Sequence, residues 1–344
     1  MKILYIGYNE DQLNWGCRST PKALLQIIQS ALKPDKILKI GNNELIKTDF
    51  TKIEKNIKEC DIVIINGEGS PIFRSPIRND FDKHLMVIEY CGKINKKCLY
   101  VNAMISKCPK TPFDNETYNR ALKAWSKCCE LVIRDPISGY LIDSKLDYSY
   151  IPDALFTWQS HRIKTGDYIL LGGGSSPPNH DQIENKKLSY LKLIDKISGL
   201  AKVKLVQNCG GDYWMEQLAK DHGFELIPKE CDIDQGMKEL QMAQVYISGR
   251  FHPSIMASLN GTPCIFFESN SDKTMHIQKM LEYKNPVVFT FPLLDEQINE
   301  IYNLTKYYLE NNESVRENII KTCQILSKQS LSGYTSIFKK YKVA

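Results

Sequence analysis

Short apolar runs alternate with amphipathic stretches along this 344-residue chain. In the first half the apolar runs are Lys2–Ile6, Asp61–Ile65, Lys97–Val101 and Leu131–Ile133. Helical periodicities such as Pro21–Leu32 and Tyr118–Cys128 lie between them. Near-continuous apolar strands interleaved with helices predict a parallel sheet covered on both faces. The pattern then restarts, with strands expected at Tyr168–Leu171, Lys202–Val206, Glu225–Ile227, Val245–Ile247, Cys264–Phe267 and Val287–Phe289. Helices are expected at Asp181–Ser198, Tyr213–His222, Asp234–Ala243, His252–Asn260 and Thr274–Glu282. The polar segment QSHRIKTGD, 159–167, lacks apolar periodicity and reads as a linker. The expected fold class is therefore α/β, with two Rossmann-like domains at 1–160 and 161–344. The lysine-rich helical stretch from Leu294 to Lys342 could pack back on the first domain. Two such sheets would face a cleft, and ligands of open α/β sheets bind beyond the carboxyl ends of the strands.

That rule directs attention to SGRFHPSIMASLNGTP, where a strand ends in Ser248-Gly249-Arg250 and a helix follows. Pro253 suits the first helical turn, so the helix is expected to begin right after His252. The N–H groups of a first turn, together with the helix dipole, favour an anion. Arg250 adds a charge with fork geometry for carboxylate or phosphate, and His252 can exchange a proton near neutral pH. The plain alternative is a structural ion pair and a helix cap. Two further strands end in glycine turns, LLGGGSSPPNH at 170–180 and VQNCGGDYW at 206–214. The first, with Gly172 and Gly173, could form a phosphate nest, and a plain turn is the other reading. It lacks the Walker lysine and the G-x-G-x-x-G spacing.

In the first half, NWGCRSTPKALLQII reads as a loop, a Thr20 cap and Pro21 at the first helical position. Trp15 could stack on a sugar face or belong to the core. Arg18 could hold a phosphate or be solvated. Glu68, inside NGEGSPIFR, is a candidate general base or an exposed loop carboxylate. Arg134 ends an apolar strand, where an internal pair with Asp135 is the structural alternative. His84, His161, His180, His222 and His276 are scattered and read as structural or exposed.

Composition narrows the class of function. Charged residues make up 25% and the net charge is +5, too diffuse to argue nucleic acid but compatible with acidic small molecules. The eleven cysteines contain no C-x-x-C and read as reduced thiols, mostly buried. No clustered metal ligands are evident, so neither a metal nor a resident cofactor is expected. The start MKILYIGYNEDQ breaks too early for a signal peptide, and no apolar run reaches membrane-span length. The expected setting is the cytoplasm, with peripheral contact at the inner membrane surface as a further option.

The stretch SGRFHPSIMASLNGTPCIFFESNSDKT resembles the C-terminal signature of the polysaccharide pyruvyl transferase family. Arg250, His252, Gly261, Pro263 and Lys273 fall on the S-G-R-x-H, G-x-P and Lys-Thr positions of that signature. LVIRDPIS is similar to the family's R-D-x-x-S, with Arg134 and Ser138 on the pattern. IPDALF is similar to its D-x-[AV]-F, with Asp153. DIVIINGEGS resembles the strand leading into its glycine-rich turn. Two departures stand out. Asn14-Trp15-Gly16-Cys17 carries cysteine where the family often has aspartate, and Gly67-Glu68-Gly69 stands where it usually has three glycines.

The resemblance implies transfer of a pyruvyl group from phosphoenolpyruvate to a sugar hydroxyl of a surface polysaccharide or its lipid-linked precursor, forming a ketal. It implies that Arg134, Arg250, His252, Lys273 and Ser248 hold the donor, and Gly172 and Gly173 join them if the glycine turn is a phosphate nest. His252 would transfer the proton, with Arg250 and Glu68 as the other catalytic candidates. Asn14, Trp15, Arg18 and Asp153 would face the acceptor, on the N-terminal domain. The alternative is a GT-B-like glycosyltransferase with a nucleotide-sugar donor, for which Glu268 could serve as the ribose-binding carboxylate. A non-catalytic binder of an anionic glycan is the third reading.

Overall fold

A computed structural model describes residues 1–108, 111–143, 145–158, 163–174 and 180–342, with the backbone alone for His180 and Asp181. Two compact units emerge. One comprises Met1–Gln12, Cys17–Trp158 and Leu326–Ala344; the other comprises Leu13–Gly16 and Gln159–Ile325. The expected linker falls partly on 159–162, outside the described residues.

Among the described residues of the first unit, strands β1 (Lys2–Ile6), β2 (Lys36–Ile40), β3 (Ile62–Glu68), β5 (Cys98–Ala103), β7 (Glu130–Ile133) and β8 (Ser149–Tyr150) form one sheet. Their order is β2-β1-β3-β5-β7-β8, and every pairing is parallel. Short strands β4 (Ile72–Phe73) and β6 (Ser106–Lys107) pair separately. Period-two alternation divides the sheet's side chains between two cores. Leu4, Ile6, Val63 and Ile65 pack on one face, against α3 (Phe50–Glu59), α4 (Asn79–Lys93) and α5 (Asn115–Trp125). Ile3, Tyr5, Ile62 and Ile64 pack on the other. That second face is covered by α1 (Trp15–Leu32) and by Tyr334, Ile337 and Phe338 from the end of α13 (Asn312–Lys339). Helices α2 (Asn42–Lys47) and α6 (Pro136–Gly139) complete the unit. Helix α1 begins at Trp15, with Asn14 accepting the Gly16 amide proton at 3.0 Å, so Pro21 lies inside it and the expected Thr20 cap does not form.

The second unit repeats the plan. Its strands are β9 (Tyr168–Gly174), β10 (Lys202–Val206), β11 (Leu226–Ile227), β12 (Val245–Gly249), β13 (Cys264–Phe267) and β14 (Val288–Phe289). Among the described residues they run in the order β11-β10-β9-β12-β13-β14, again with parallel pairings. The surrounding helices are α7 (His180–Ile197), α8 (Trp214–His222), α9 (Ile233–Met242), α10 (Phe251–Ser258), α11 (Lys273–Met280) and α12 (Asp295–Glu310). One core contains Ile169, Leu171, Val245, Ile247 and Phe267 from the sheet, with Tyr190, Leu193 and Trp214 from the helices.

Strands β9 and β12 are longer than their apolar runs, because both continue through glycines. A Cβ on Gly249 would strike the carbonyl oxygen of Glu268 and lie 3.0 Å from the Cα of Gly174. The carboxyl ends of β9, β12 and the β13 exit therefore meet at backbone contact, which only glycine allows. Helix α10 starts at Phe251 with Arg250 as its N-cap, so His252 is a helical residue and not the one before the helix.

Candidate active site

The turn from β12 to α10 carries the first constellation, all of it within the second unit. Arg250 is buried and its Nη2 donates to Asp212 Oδ1 at 2.6 Å. Asp212 is also fully buried, and its Oδ2 accepts the Asn208 amide proton at 3.1 Å. Burial works against the guanidinium's charge, but the Asp212 carboxylate outweighs it and holds Arg250 above the usual arginine range. Ser248 is buried: its hydroxyl donates to the Gly173 carbonyl at 2.8 Å and accepts from the Arg250 amide at 3.2 Å. It shapes the turn beneath Arg250. Lys273 opens α11, half-buried, with Nζ donating to Asn270 Oδ1 at 2.7 Å.

His252 is half-buried, edge-on to Phe251 with ring centroids 5.2 Å apart. Its imidazole packs under the backbone of Gly16, where any Cβ would collide with Nδ1. The segment Leu13–Gly16 reaches this position by three anchors. Asn14 forms an antiparallel bridge with Cys209, the Trp15 amide donates to the Asn208 carbonyl at 3.0 Å, and Trp15 Nε1 donates to the Lys229 carbonyl at 3.1 Å. The Trp15 ring is fully buried against Gly236, where a Cβ would lie 2.7 Å from it. Trp15 is thus an anchor, not a platform for a sugar, and Asn14 is a helix cap. The two were expected to face the acceptor on the N-terminal half; the structure places both in the second unit.

Gly172 and Gly173 also take a different role from the expected turn. They complete β9, fully buried. A Cβ on Gly172 would sit 2.9 Å from the Tyr246 hydroxyl and 3.0 Å from Ser248 Oγ; one on Gly173 would collide with the Asp212 carboxylate. These glycines make room for Asp212, Tyr246 and Ser248. The following residues, 175–179, lie outside the described residues.

The second constellation belongs to the first unit, at the carboxyl ends of β3 and β7. Arg134 is buried and Nη1 donates to Asp153 Oδ2 at 2.8 Å. The other oxygen of Asp153 caps the following turn by accepting from the Leu155 amide at 2.8 Å. Asp153, expected to face an acceptor, is fully buried and holds Arg134 and the chain. Asp135 caps α6, accepting the Ser138 amide proton at 2.9 Å and the Ser138 hydroxyl proton at 2.6 Å. Arg18 is half-buried on α1. Arg134 was grouped with the donor residues, yet it belongs to the first unit while Arg250, His252 and Lys273 belong to the second.

Glu68 is buried, not the exposed loop carboxylate of the alternative reading. It ends β3 with φ +39°, a left-handed conformation that glycine adopts freely and other residues rarely do. Its Oε1 accepts from Asn66 Nδ2 at 2.8 Å. Burial raises its pKa from 4.5 to about 8; Arg134 and Asn66 oppose the rise, while Asp153 and Asp80 add to it. The folded state therefore keeps this proton up to pH about 8, whereas the unfolded chain releases it near 4.5. The stability it contributes is fully present below the unfolded value and is lost as pH rises through this window, at up to about 1.4 kcal/mol per unit. Denaturant unfolding of wild type and Glu68→Gln between pH 5 and 8 is expected to show the wild type losing stability relative to the variant. Parallel curves would mean that Glu68 titrates normally.

Two functional candidates escaped the sequence reading. Asp212 is the carboxylate partner of Arg250; its signal was the CGGD run after β10. Lys186 on α7 is buried, with Nζ 5.0 Å from the Phe291 ring centroid and 4.0 Å from where a Cβ on Gly174 would stand. It looked like one more lysine on a polar helix. Of the scattered histidines, His84 and His276 are buried, His222 is exposed, and His161 and the His180 side chain lie outside the described residues. The eleven cysteines are thiols outside any disulfide, but only five are fully buried.

Comparison with known proteins fits this architecture. Arabidopsis thaliana UGT89C1 complexed with UDP-L-rhamnose superposes with a TM-score of 0.62 at 10% identity, covering 98% of this chain and 99% of that one. The S. aureus MnaA–UDP co-structure gives 0.61 at 14% identity, covering 99% and 96%. A Thermobaculum terrenum O-GlcNAc transferase mutant gives 0.56 at 11% identity, covering 99% of this chain but 66% of that one. At such identities the likeness establishes the fold, a two-domain Rossmann-like arrangement of the GT-B kind. No curated protein matches the sequence. The family model for polysaccharide pyruvyl transferase matches residues 14–271, a span that holds Glu68, Arg134, Arg250 and His252. The chain belongs to the polysaccharide pyruvyl transferase family, a family of transferase enzymes.

Proposed function

We propose that the protein transfers a pyruvyl group from phosphoenolpyruvate to sugar hydroxyls of a surface polysaccharide or its lipid-linked precursor, forming a pyruvate ketal. The observation that carries this reading is the pairing of Arg250 and His252 at the carboxyl end of β12, where α10 begins. Phosphoenolpyruvate presents a carboxylate and a phosphate close together. The Arg250 guanidinium, the first-turn N–H groups of α10 and Lys273 are cations or donors suited to that pair of anions. His252 gives a proton to the methylene carbon of the donor, leaving an oxocarbenium-like centre at the carbon that bears the phosphate. A sugar hydroxyl adds there and a second displaces the phosphate. Of the two hydroxyl protons, one replaces that spent by His252 and the other leaves with phosphate. Glu68 is the candidate to take one hydroxyl proton and pass it to the departing phosphate, and its raised pKa makes it most effective as base toward pH 8. We place the reaction in the cytoplasm, with peripheral contact at the inner membrane surface as a further option. Among the described residues, no helix is long and apolar enough to cross a membrane.

The competing reading is glycosyl transfer from a nucleotide sugar, favoured by the UDP and UDP-sugar named in two of the similar structures. The two donors are told apart by thermal unfolding. Phosphoenolpyruvate at about 100 times its Kd is expected to stabilise the protein by about 2.7 kcal/mol, while UDP and UDP-sugars leave the midpoint unchanged. Stabilisation by a UDP-sugar alone would replace the pyruvyl reading with the glycosyl one, with Glu268 as the residue to test for ribose binding.

A further inference from the structure

We propose that Asp212 is a positioning residue for Arg250, fixing the guanidinium so that it meets the donor anion in one orientation; the inference rests on the donor reading above. Three observations converge on it. The carboxylate is fully buried and receives Arg250 Nη2 at 2.6 Å. It is held from its other side: Oδ2 accepts the Asn208 amide proton at 3.1 Å, while the Asp212 carbonyl accepts from Gln207 Nε2 at 3.1 Å. The site is also cut to its shape. Gly173 leaves no room for a Cβ beside the carboxylate, so β9 approaches Asp212 as closely as a backbone can.

The segment Gln207–Asp212 is itself fastened. Asn208 accepts from the Tyr246 hydroxyl at 2.7 Å through Oδ1 and from the Trp15 amide at 3.0 Å through its carbonyl. A buried guanidinium tied to a fixed carboxylate keeps one plane. That is the condition under which a fork recognises carboxylate or phosphate with two parallel hydrogen bonds. The pair also cancels in charge, so Arg250 supplies geometry to the donor, and net attraction has to come from the α10 N-terminus and from neighbouring lysines. The glycines of β9 and the aspartate of the CGGD run thus serve one purpose, although they are far apart in sequence.

The test is Asp212→Asn, which keeps the shape and the acceptor oxygen but removes the charge. Two quantities are measured: kcat/KM for phosphoenolpyruvate, and solvent exchange of the Arg250 guanidinium protons by nitrogen-15 NMR. The expected result is a loss of about 10²-fold in kcat/KM, since small misplacements of a binding group cost that much. With it, the guanidinium protons, protected in the wild type, exchange rapidly in the variant. A merely structural Asp212 would lower the thermal midpoint and leave kcat/KM of the folded variant within twofold of wild type, and that result overturns the proposal. If Asp212→Asn does not fold, the wild-type exchange decides: slow exchange supports a fixed fork, and exchange as fast as that of exposed arginines overturns it. A wild type that neither binds nor consumes phosphoenolpyruvate sinks the donor reading instead, and the exchange measurement still decides whether Asp212 fixes Arg250.

Discussion

Replacement of His252 by alanine is expected to lower kcat by about 10²–10⁴-fold, the usual contribution of a positioned acid or base. Donor binding should change little, because the anion contacts assigned here belong to Arg250, Lys273 and the first turn of α10. The fold should also survive. His252 is only half-buried, and its neighbours Phe251 and Pro253, both buried on α10, remain. The ring packs against the backbone of Gly16, and that segment is independently tied down by Trp15 and Asn14. Single-turnover kinetics with phosphoenolpyruvate, alongside thermal shift by the same donor, separates the two effects. A normal thermal shift with no turnover is the expected pattern. Turnover within tenfold of wild type would pass the proton-transfer role to another group. Loss of the shift with turnover per bound donor intact would make His252 a binding residue.

Much of the fold is readable from the chain, and the failures have physical causes. Buried parallel strands write themselves as apolar runs, so β1, β10 and β13 have the bounds expected of them. Strand β2, KILKI, does not, because it lies at the sheet edge with only Ile40 fully buried and with Lys36 and Lys39 within it. Helix α3 buries only Ile53 and Ile57, too thin a stripe to separate from a loop. The end of β9 is misjudged because glycine extends it, at Gly172–Gly174. A glycine-rich exit from a strand looks like a turn until the neighbour it admits is known. The site shows the same limit. Arg250 and His252 announce themselves by a short spacing and a helix start. Asp212 lies 38 positions away from Arg250, and Asp153 19 from Arg134, so neither pairing has a local signature. Trp15 has two readings in its own neighbourhood; its anchors, Asn208, Lys229 and Gly236, are about two hundred residues further along.

The Arg250→Lys variant is expected to fold normally and to lose about 10²-fold in kcat/KM for the donor. The reasoning turns on what each property of the guanidinium does. Its charge satisfies Asp212, and a lysine ammonium can still supply that. Leaving Asp212 buried without a cation, as in Arg250→Met, is a different matter and is expected to cost about 3–5 kcal/mol of stability. The planar fork is what lysine cannot supply. An ammonium held by Asp212 has no second edge to offer, and one that turns to the donor abandons Asp212. The thermal midpoint of Arg250→Lys should therefore stay near that of wild type, while the stabilisation produced by phosphoenolpyruvate shrinks. Arg250→Met should show the fall in midpoint that lysine avoids. If instead both variants unfold early and the lysine protein, once folded, works normally, Arg250 is a structural ion-pair partner and the donor anion is held elsewhere in the second unit. Comparable activity in wild type and Arg250→Lys would lead to the same assignment, because no fork-dependent contact survives that exchange.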